Sequence, residues 1–395
     1  MKFVNTLLFT ALTVAIAGAA HAAVSPDEAA KLGSSLTAVG AEKAGNADNT
    51  IPAYTGGITT PPASFQTGSS FRPDPYEADK PRAVIDGKNV GQFAGKLTAT
   101  TQELLKRYPT FRVDVFPTHR SVALPQRLLD NTAKNAVGTK TLEGGVALEN
   151  ALPGVPFPIP KDGYEAMWNH LLRYQGYATN FKYDSWNVDG SGSAIRRGWQ
   201  YLPGQRRVKL APDIAYDTPN PGSAGASTYD DAWVFNGAMD RYDFKLVGKK
   251  EMIIPYNTYK LNYHKEAADI TTPHFVNPDL MRWELHRVWV VEATLKPGKR
   301  HIYSKRTFYL DEDSWIALAS DEYDASGKLY RGSFAHLAYS YDVQAPNSDN
   351  HMIYDFVSGS YNITGIYGPY GGVKYIDPLS KALWAPESLA GTGIR

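Results

Sequence analysis

Nine histidines, forty acidic residues and no cysteine define the chemistry open to this 395-residue chain. Without cysteine there is no thiol nucleophile, no disulfide and no Cys-ligated zinc. His264 with His274, and His286 with His301, lack a compact metal-ligand spacing, and no H-E-x-x-H occurs. Each therefore reads as a surface or hydrogen-bonded histidine. No G-x-S-x-G elbow is present. "DGSGSA", from Asp189 to Ala194, has the composition of a flexible hairpin tip rather than a nucleophile loop. "LDEDS" lacks the glycine and the distant glutamate of a calcium loop and reads as a solvated turn. Arg196, Arg197, Arg206 and Arg207 form basic pairs near a hairpin, in keeping with a solvated edge that discourages strand pairing. Paired hydrolytic carboxylates have no sequence spacing, so a hydrolase acting on envelope lipid or glycan stays open. No cofactor and no metal is implied.

The elements that must position any site begin after a leader. "MKFVNTLLFTALTVAIAGAAHA" has Lys2, a short apolar run and Ala20-His21-Ala22 as a small-x-small cleavage site. Residues 1–22 thus read as a signal peptide, predicting a soluble periplasmic protein. The chain holds 41 Lys+Arg and 40 Asp+Glu, and Lys2 is the leader's only charge, so the mature balance is 40 against 40. That balance offers nothing to nucleic acid or to an anionic membrane. With 25 Tyr, 15 Phe, 34 Gly and 26 Pro, the composition favours sheets joined by many turns.

Residues 23–98, rich in Gly, Pro, Ser and Thr, read as an extended arm, and 99–395 as one domain. A short helix is expected in "TATTQELLKRYP", with Thr100 and Glu103 at capping-box spacing. A stronger one is expected in "PKDGYEAMWNHLLRYQG", capped by Asp162 and ended by Gly176, with Tyr164, Met167, Trp168, Leu171 and Leu172 as its apolar stripe. "NPDLMRWELH" suggests a further short helix opened by Asn277.

From about residue 180 the pattern is of strands. "GWQYLPGQRRVKL" reads as a hairpin, and so does "VWVVEATLKPGKRHIYSKRTFYL" with Lys296 to Lys299 as its loop. A further loop at 311–314 would set Leu310 against Trp315 and Phe308 against Ala317. This register collects Trp289, Val291, Ala293, Leu295, Ile302, Phe308, Leu310, Trp315, Ala317, Ala319 and Tyr323 on one face, with Arg306 and Asp321 pointing into it as mutual neutralisers. Either that face packs on the helix as a closed core, or it exceeds its cover and leaves an apolar cavity.

Several long stretches carry a resemblance. "LTAVGAEKAGNADNTIPAYTGG", "PFPIPKDGYEAMWNHLLRYQG", "FNGAMDRYDFKLVGKKEMIIPYN" and "ELHRVWVVEATLKPGKRHIYSKRTFYLDEDSW" are similar to a large family of exported bacterial proteins of unknown function, placed in the LolA-like (outer-membrane lipoprotein-sorting protein-like) superfamily. The resemblance implies an α+β, β-dominated fold: a curved antiparallel sheet forming an incomplete β-barrel, with helices plugging its concave face. It also implies traffic of lipid, lipoprotein acyl chain or another hydrophobic compound, with an inner-membrane pump and an outer-membrane protein as partners. It brings no catalytic residues. The residues expected to line the ligand site are Trp168, Leu171, Trp289, Val291, Ile302, Phe308, Leu310 and Trp315. A structural subunit of an envelope complex is the remaining alternative.

Overall fold

The computed structural model describes residues 24–192, 194–196, 216–220, 223 and 225–377. The leader and the expected hairpin over 198–210 lie outside the described residues. Along the chain come β1 (Ala83–Ile85), α1 (Ala99–Arg107), β2 (Val113–Val115), α2 (Gln126–Gly138), α3 (Gly163–Leu171), β3 (Asp184–Val188) and β4 (Ala194–Arg196). Then follow β5 (Tyr242–Pro255), β6 (Trp283–Leu295), β7 (Lys305–Asp311), β8 (Ala317–Tyr323), β9 (Leu329–Ala335), β10 (His351–Asp355) and β11 (Tyr361–Ile366).

These strands make one curved eleven-stranded sheet in the order β1-β2-β6-β7-β8-β9-β10-β11-β3-β4, with β5 also paired to β6. Only the β2–β6 contact is parallel, and the sheet does not close into a barrel. The half-open, β-dominated fold is the one expected. Among the described residues no helix is long and apolar enough to cross a membrane.

Helix starts follow local chemistry. Asp162 caps α3 as expected, accepting from the Glu165 amide at 2.9 Å. In α1 the cap is Thr98, which accepts from Thr101 N at 3.0 Å, and not Thr100. Thr100 is instead spent on the sheet: its hydroxyl donates to Asp321 Oδ1 at 2.6 Å and its amide at 2.8 Å. Helix α2 was not foreseen, since its four buried positions include Thr132 and Asn135. Asn277 does open a turn at Pro278–Leu280, but it is a single 3-10 turn.

Helix α3 ends at Leu171, five residues before Gly176, and it is turned relative to the expected stripe. Met167 and Ala166 are buried, yet Leu172 is exposed and the position facing the sheet is held by His170. His170 Nδ1 accepts from the Ala317 amide at 3.0 Å, and its Nε2 lies 2.9 Å from Phe235 O. A ring nitrogen that meets a backbone partner on either side can be buried without loss. Burial holds the imidazole well below its usual pKa, so it packs here as a neutral ring.

The hairpin registers differ from those that alternation predicts. On β6 and β7, Trp289 pairs with Leu310 and Val291 with Phe308. That is a slip of four residues from the expected pairing, and an even slip keeps every side chain on its face. The slip arises because residues 296–304 form a long loop whose His301 and Tyr303 are drawn to Asp230 and Asp231 at 3.0 and 2.9 Å. Between β7 and β8 the turn is longer and a bulge leaves Leu318 unpaired, so Phe308 meets Ser320 and Arg306 meets Glu322. Here the slip is odd. Ala319, Asp321 and Tyr323 therefore lie on the opposite face from Phe308, and Arg306 and Asp321 do not neutralise each other. Arg306 instead binds Asp231 Oδ1 at 2.9 Å and Asp230 Oδ2 at 3.2 Å.

Both faces of this sheet are covered. Helix α3 and Phe235 pack over the Phe308 face, with Phe235 and Phe308 ring centroids 5.3 Å apart. Helix α1 and the segment around Phe275 pack over the other, where Gly332 lies so close to Thr100 that a Cβ would sit 1.8 Å from its Oγ1. Residues 317–322 are consequently buried without a break. The arm is ordered against this body. Val39, Ala41 and Ile51 are buried, Trp315 donates its indole N–H to Val39 O at 3.0 Å, and Tyr54 donates to Val122 O at 2.9 Å.

Candidate functional site

The residues expected to line a ligand site fall into two groups. Val291, Phe308, Leu310 and Trp315 are closed off from solvent by their neighbours. Trp289, which stacks on Trp315 with ring centroids 6.1 Å apart, is half-buried beneath Lys249. Trp168 and Leu171 are half-buried on α3, with the Trp168 indole donating to Gly145 O at 2.8 Å. Ile302 leaves the strand face altogether and sits half-buried in the 296–304 loop.

A cavity of about 810 Å³ opens elsewhere, between the arm and the sheet margin. Its near wall is the arm segment Phe71 to Pro81, and its far wall is formed by residues 257–266 and 279–282. Phe71, Tyr76, Phe116, Tyr259, Tyr263 and Met281 give it an apolar lining. Phe71 meets Tyr263 edge to face at 5.3 Å.

Two buried arginines fix the wall in place. Arg72 grips Asp342 through Nε at 2.5 Å and Nη2 at 2.9 Å, and Nη1 donates to Val373 O at 2.9 Å. Arg282 donates from Nη2 to Asp79 Oδ2 and from Nε to Glu284 Oε1, both at 2.6 Å, while its guanidinium lies over the Phe116 ring. Tyr76 stacks on His119 at 3.9 Å, and His119 Nε2 lies 2.8 Å from the same Asp79 oxygen. Burial pushes the Asp79 carboxyl up, but the hydrogen bonds from Arg282 and His119 outweigh it and leave the group below its usual range. Asp74 has only backbone and more distant help, and burial holds it above that range. Around the mouth stand the exposed Glu77, Lys80, Lys260, Lys265 and Glu266.

Aromatic floor, fixed walls and a rim of both charge signs suit an amphipathic molecule: rings and aliphatic groups take its apolar part, and the rim meets a polar head. The groove was missed in the sequence because its walls carry no periodicity. The available signal was ring density among prolines and charges in "FRPDPYEADKP" and "YNTYKLNYHKE".

The family model described as "Protein of unknown function (DUF1329)" matches residues 84–196 and 193–390. A protein of Pseudomonas aeruginosa, "Uncharacterized protein PA3922", is 40% identical over the whole of both chains. Among solved structures, a putative outer membrane lipoprotein-sorting protein domain from Vibrio parahaemolyticus is 14% identical, covering 58% of this chain and 98% of its own, with a TM-score of 0.38. A LolA superfamily protein from Nitrosomonas europaea is 11% identical, covering 54% of this chain and 92% of its own, with a TM-score of 0.30.

Proposed function

The chain belongs to the DUF1329 family, and we propose that it is a periplasmic carrier that binds a lipid or other hydrophobic compound reversibly and without covalent chemistry. The observation that carries this reading is the groove of about 810 Å³ beneath Phe71 to Pro81, a volume within the range of small-molecule sites. Each methylene withdrawn from water onto its rings would contribute roughly 0.8 kcal/mol. A long chain would thus bind tightly enough that release must be coupled to a partner, for which an inner-membrane pump and an outer-membrane protein are the proposed candidates.

The test is saturable binding of an environment-sensitive fatty-acid probe, together with native mass spectrometry of protein purified from periplasm. Phe71→Asp places a charge in the groove at a residue already 39% exposed, so the variant should fold and lose the probe. Leu171→Asp tests the face expected from the sequence: loss there with retention in Phe71→Asp would move the site beneath α3. Absence of any bound lipid or sterol in the wild type, with turnover on ester or glycoside panels, would replace the carrier by the hydrolase. Absence of both would favour the structural subunit.

A further inference from the structure

Three groups able to ligate a cation meet next to Glu284, the partner of Arg282. His286 comes from β6, Asp311 ends β7 and Asp313 stands in the β7–β8 turn; one ligand atom of each lies within 4.8 Å of the other two, and all three residues are buried. Each is held from behind. His286 Nε2 lies 2.9 Å from Glu284 Oε2, and its ring stacks on Tyr256 with centroids 3.7 Å apart. With Nε2–H directed to a carboxylate, the lone pair at Nδ1 is what the ring has to offer. Asp313 is chelated by Arg120, Nε to Oδ2 at 2.8 Å and Nη2 to Oδ1 at 2.7 Å, and a carboxylate has about four lone-pair sites, so both oxygens retain capacity.

Asp311 supplies the decisive feature. Its Oδ2 accepts from Tyr256 OH at 3.1 Å, from Ser314 N at 2.9 Å and from Ser314 Oγ at 2.6 Å. Its Oδ1 has no hydrogen-bond partner, although the residue is wholly buried. An anionic oxygen in that position is costly unless something positive meets it. Its neighbours in the cluster are the Asp313 carboxylate, already chelated by Arg120, and the His286 ring, whose Nε2 is already directed to Glu284. A buried carboxylate oxygen with no hydrogen-bond partner, beside two further ligand atoms within 4.8 Å, is a cation's environment.

The surrounding charge is otherwise spent. Glu312 is held by Arg120, Arg287 and Lys249, and Glu284 by Arg282. Among Glu284, Asp311, Glu312 and Asp313, Asp311 is the carboxylate with no ion pair among the described residues. One imidazole nitrogen and two carboxylates match Zn²⁺, whereas Mg²⁺ and Ca²⁺ call for all-oxygen shells. A pocket of about 330 Å³ lined by Thr37 to Val39, Tyr54 and Asp313 leads in from the surface of the arm.

We propose that His286, Asp311 and Asp313 form a divalent-cation site selective for Zn²⁺ over Mg²⁺ and Ca²⁺, which clamps the β7–β8 turn to β6 where the arm docks. The docking is direct: Glu312 accepts from the Glu42 amide at 3.1 Å, and Arg120 donates to Glu42 O at 2.8 Å. The site lies outside the groove, joined to it only through Glu284 and Arg282, and its test needs no groove ligand, so it stands or falls apart from the carrier reading.

The experiment uses the full mature chain, stripped with a chelator and titrated with ZnCl₂ against a chromophoric competitor. One equivalent should bind and raise Tm, with no rise from equal MgCl₂ or CaCl₂. Asp311→Asn, which keeps the shape and the Ser314 contacts, should weaken Zn²⁺ at least about tenfold, and His286→Gln likewise. His264→Gln, outside the cluster and paired with Asp269, should bind Zn²⁺ as the wild type does. No stoichiometric Zn²⁺ binding, or equal affinity in Asp311→Asn, would overturn the proposal. Should both variants fail to fold, zinc-edge X-ray absorption of the wild type decides: one imidazole with oxygen ligands supports the site, and a shell without imidazole refutes it.

Discussion

Removing the Asp321 side chain should detach α1 from the sheet. The carboxylate is 1% exposed and accepts four hydrogen bonds: from Thr100 Oγ1 at 2.6 Å, Thr100 N at 2.8 Å, Ala99 N at 3.1 Å and Tyr309 OH at 2.8 Å. It is thus an N-terminal anion for α1 supplied from another element, on the face away from Arg306. Hydrogen bonds to a charged group are each worth roughly 1.5–3 kcal/mol, and they do not add in full because the two hydroxyls can turn to other acceptors. Asp321→Ala should therefore cost about 3–5 kcal/mol, a large part of the roughly 5–15 kcal/mol that holds a domain together. Urea unfolding of single and double variants measures it. With Arg306→Met, the coupling to Asp321 should stay below about 0.5 kcal/mol, and the coupling to Asp231 should lie within about 0.5–3 kcal/mol. A coupling to Asp321 as large as that to Asp231 would refute the bulged register and restore the tight four-residue turn.

Two further outcomes follow from buried groups. Burial, opposed by Arg306 and reinforced by Asp231, raises the Glu322 carboxyl from 4.5 to about 8. The folded protein then keeps a proton that the unfolded chain has released, so this group's contribution falls as pH rises from about 4.5 to 8 and is level above that. Glu322→Gln should match the wild type near pH 5 and exceed it by roughly 1–3 kcal/mol at pH 8, read from unfolding midpoints at both values; a difference independent of pH would show that the group is ionised throughout. Trp168→Ala should cost roughly 2–3 kcal/mol by the same assay, less than the roughly 3–5 kcal/mol of a fully buried ring because half-buried Trp168 retains solvent contact. A loss near zero would mean that α3 is only loosely seated.

Periodicity revealed the strands and the face shared by Trp289, Val291, Phe308 and Leu310, because an error of four residues leaves faces unchanged. It failed at β8, where the bulge at Leu318 reverses the face of everything after it, and a bulge leaves no trace in an alternating pattern. It failed in another way along α3. His170 and Asn169 look like solvent positions, yet both are buried, Asn169 by a reciprocal pair with the Phe157 backbone at 2.7 and 2.8 Å. Which polar side chains find buried partners depends on segments far away in sequence. For the same reason the cluster of His286, Asp311 and Asp313 had no spacing to betray it.

The alternation of polar and apolar residues along β7 and β8, ordinarily the sign of one wet face, is here the sign of two covered ones. Arg306 points beneath the 228–235 segment and meets Asp230 and Asp231 there, Asp321 points beneath α1 and meets Thr100, and Glu322 is bonded within the sheet by Ser320 and Ser333. A sheet closed on both sides leaves no space between its layers for a ligand unless a layer moves. Helix α3 is a poor candidate, since Ala166, Met167 and His170 are buried and His170 is bonded to the sheet backbone itself. The arm segment that walls the groove is held differently. Over Phe71 to Pro81 its main attachments are the Arg72–Asp342 pair and the Asp79 link to Arg282 and His119. Of these, the Asp79 link is the more open, with the Asp79 side chain 23% exposed, so it can exchange for water or a ligand's polar head, whereas the buried Arg72–Asp342 pair or a packed apolar layer gives way only at a cost. Loading and unloading in the proposed carrier should therefore work through the arm, and loosening Arg72 or Asp79 should speed release of a bound probe more than any change on α3.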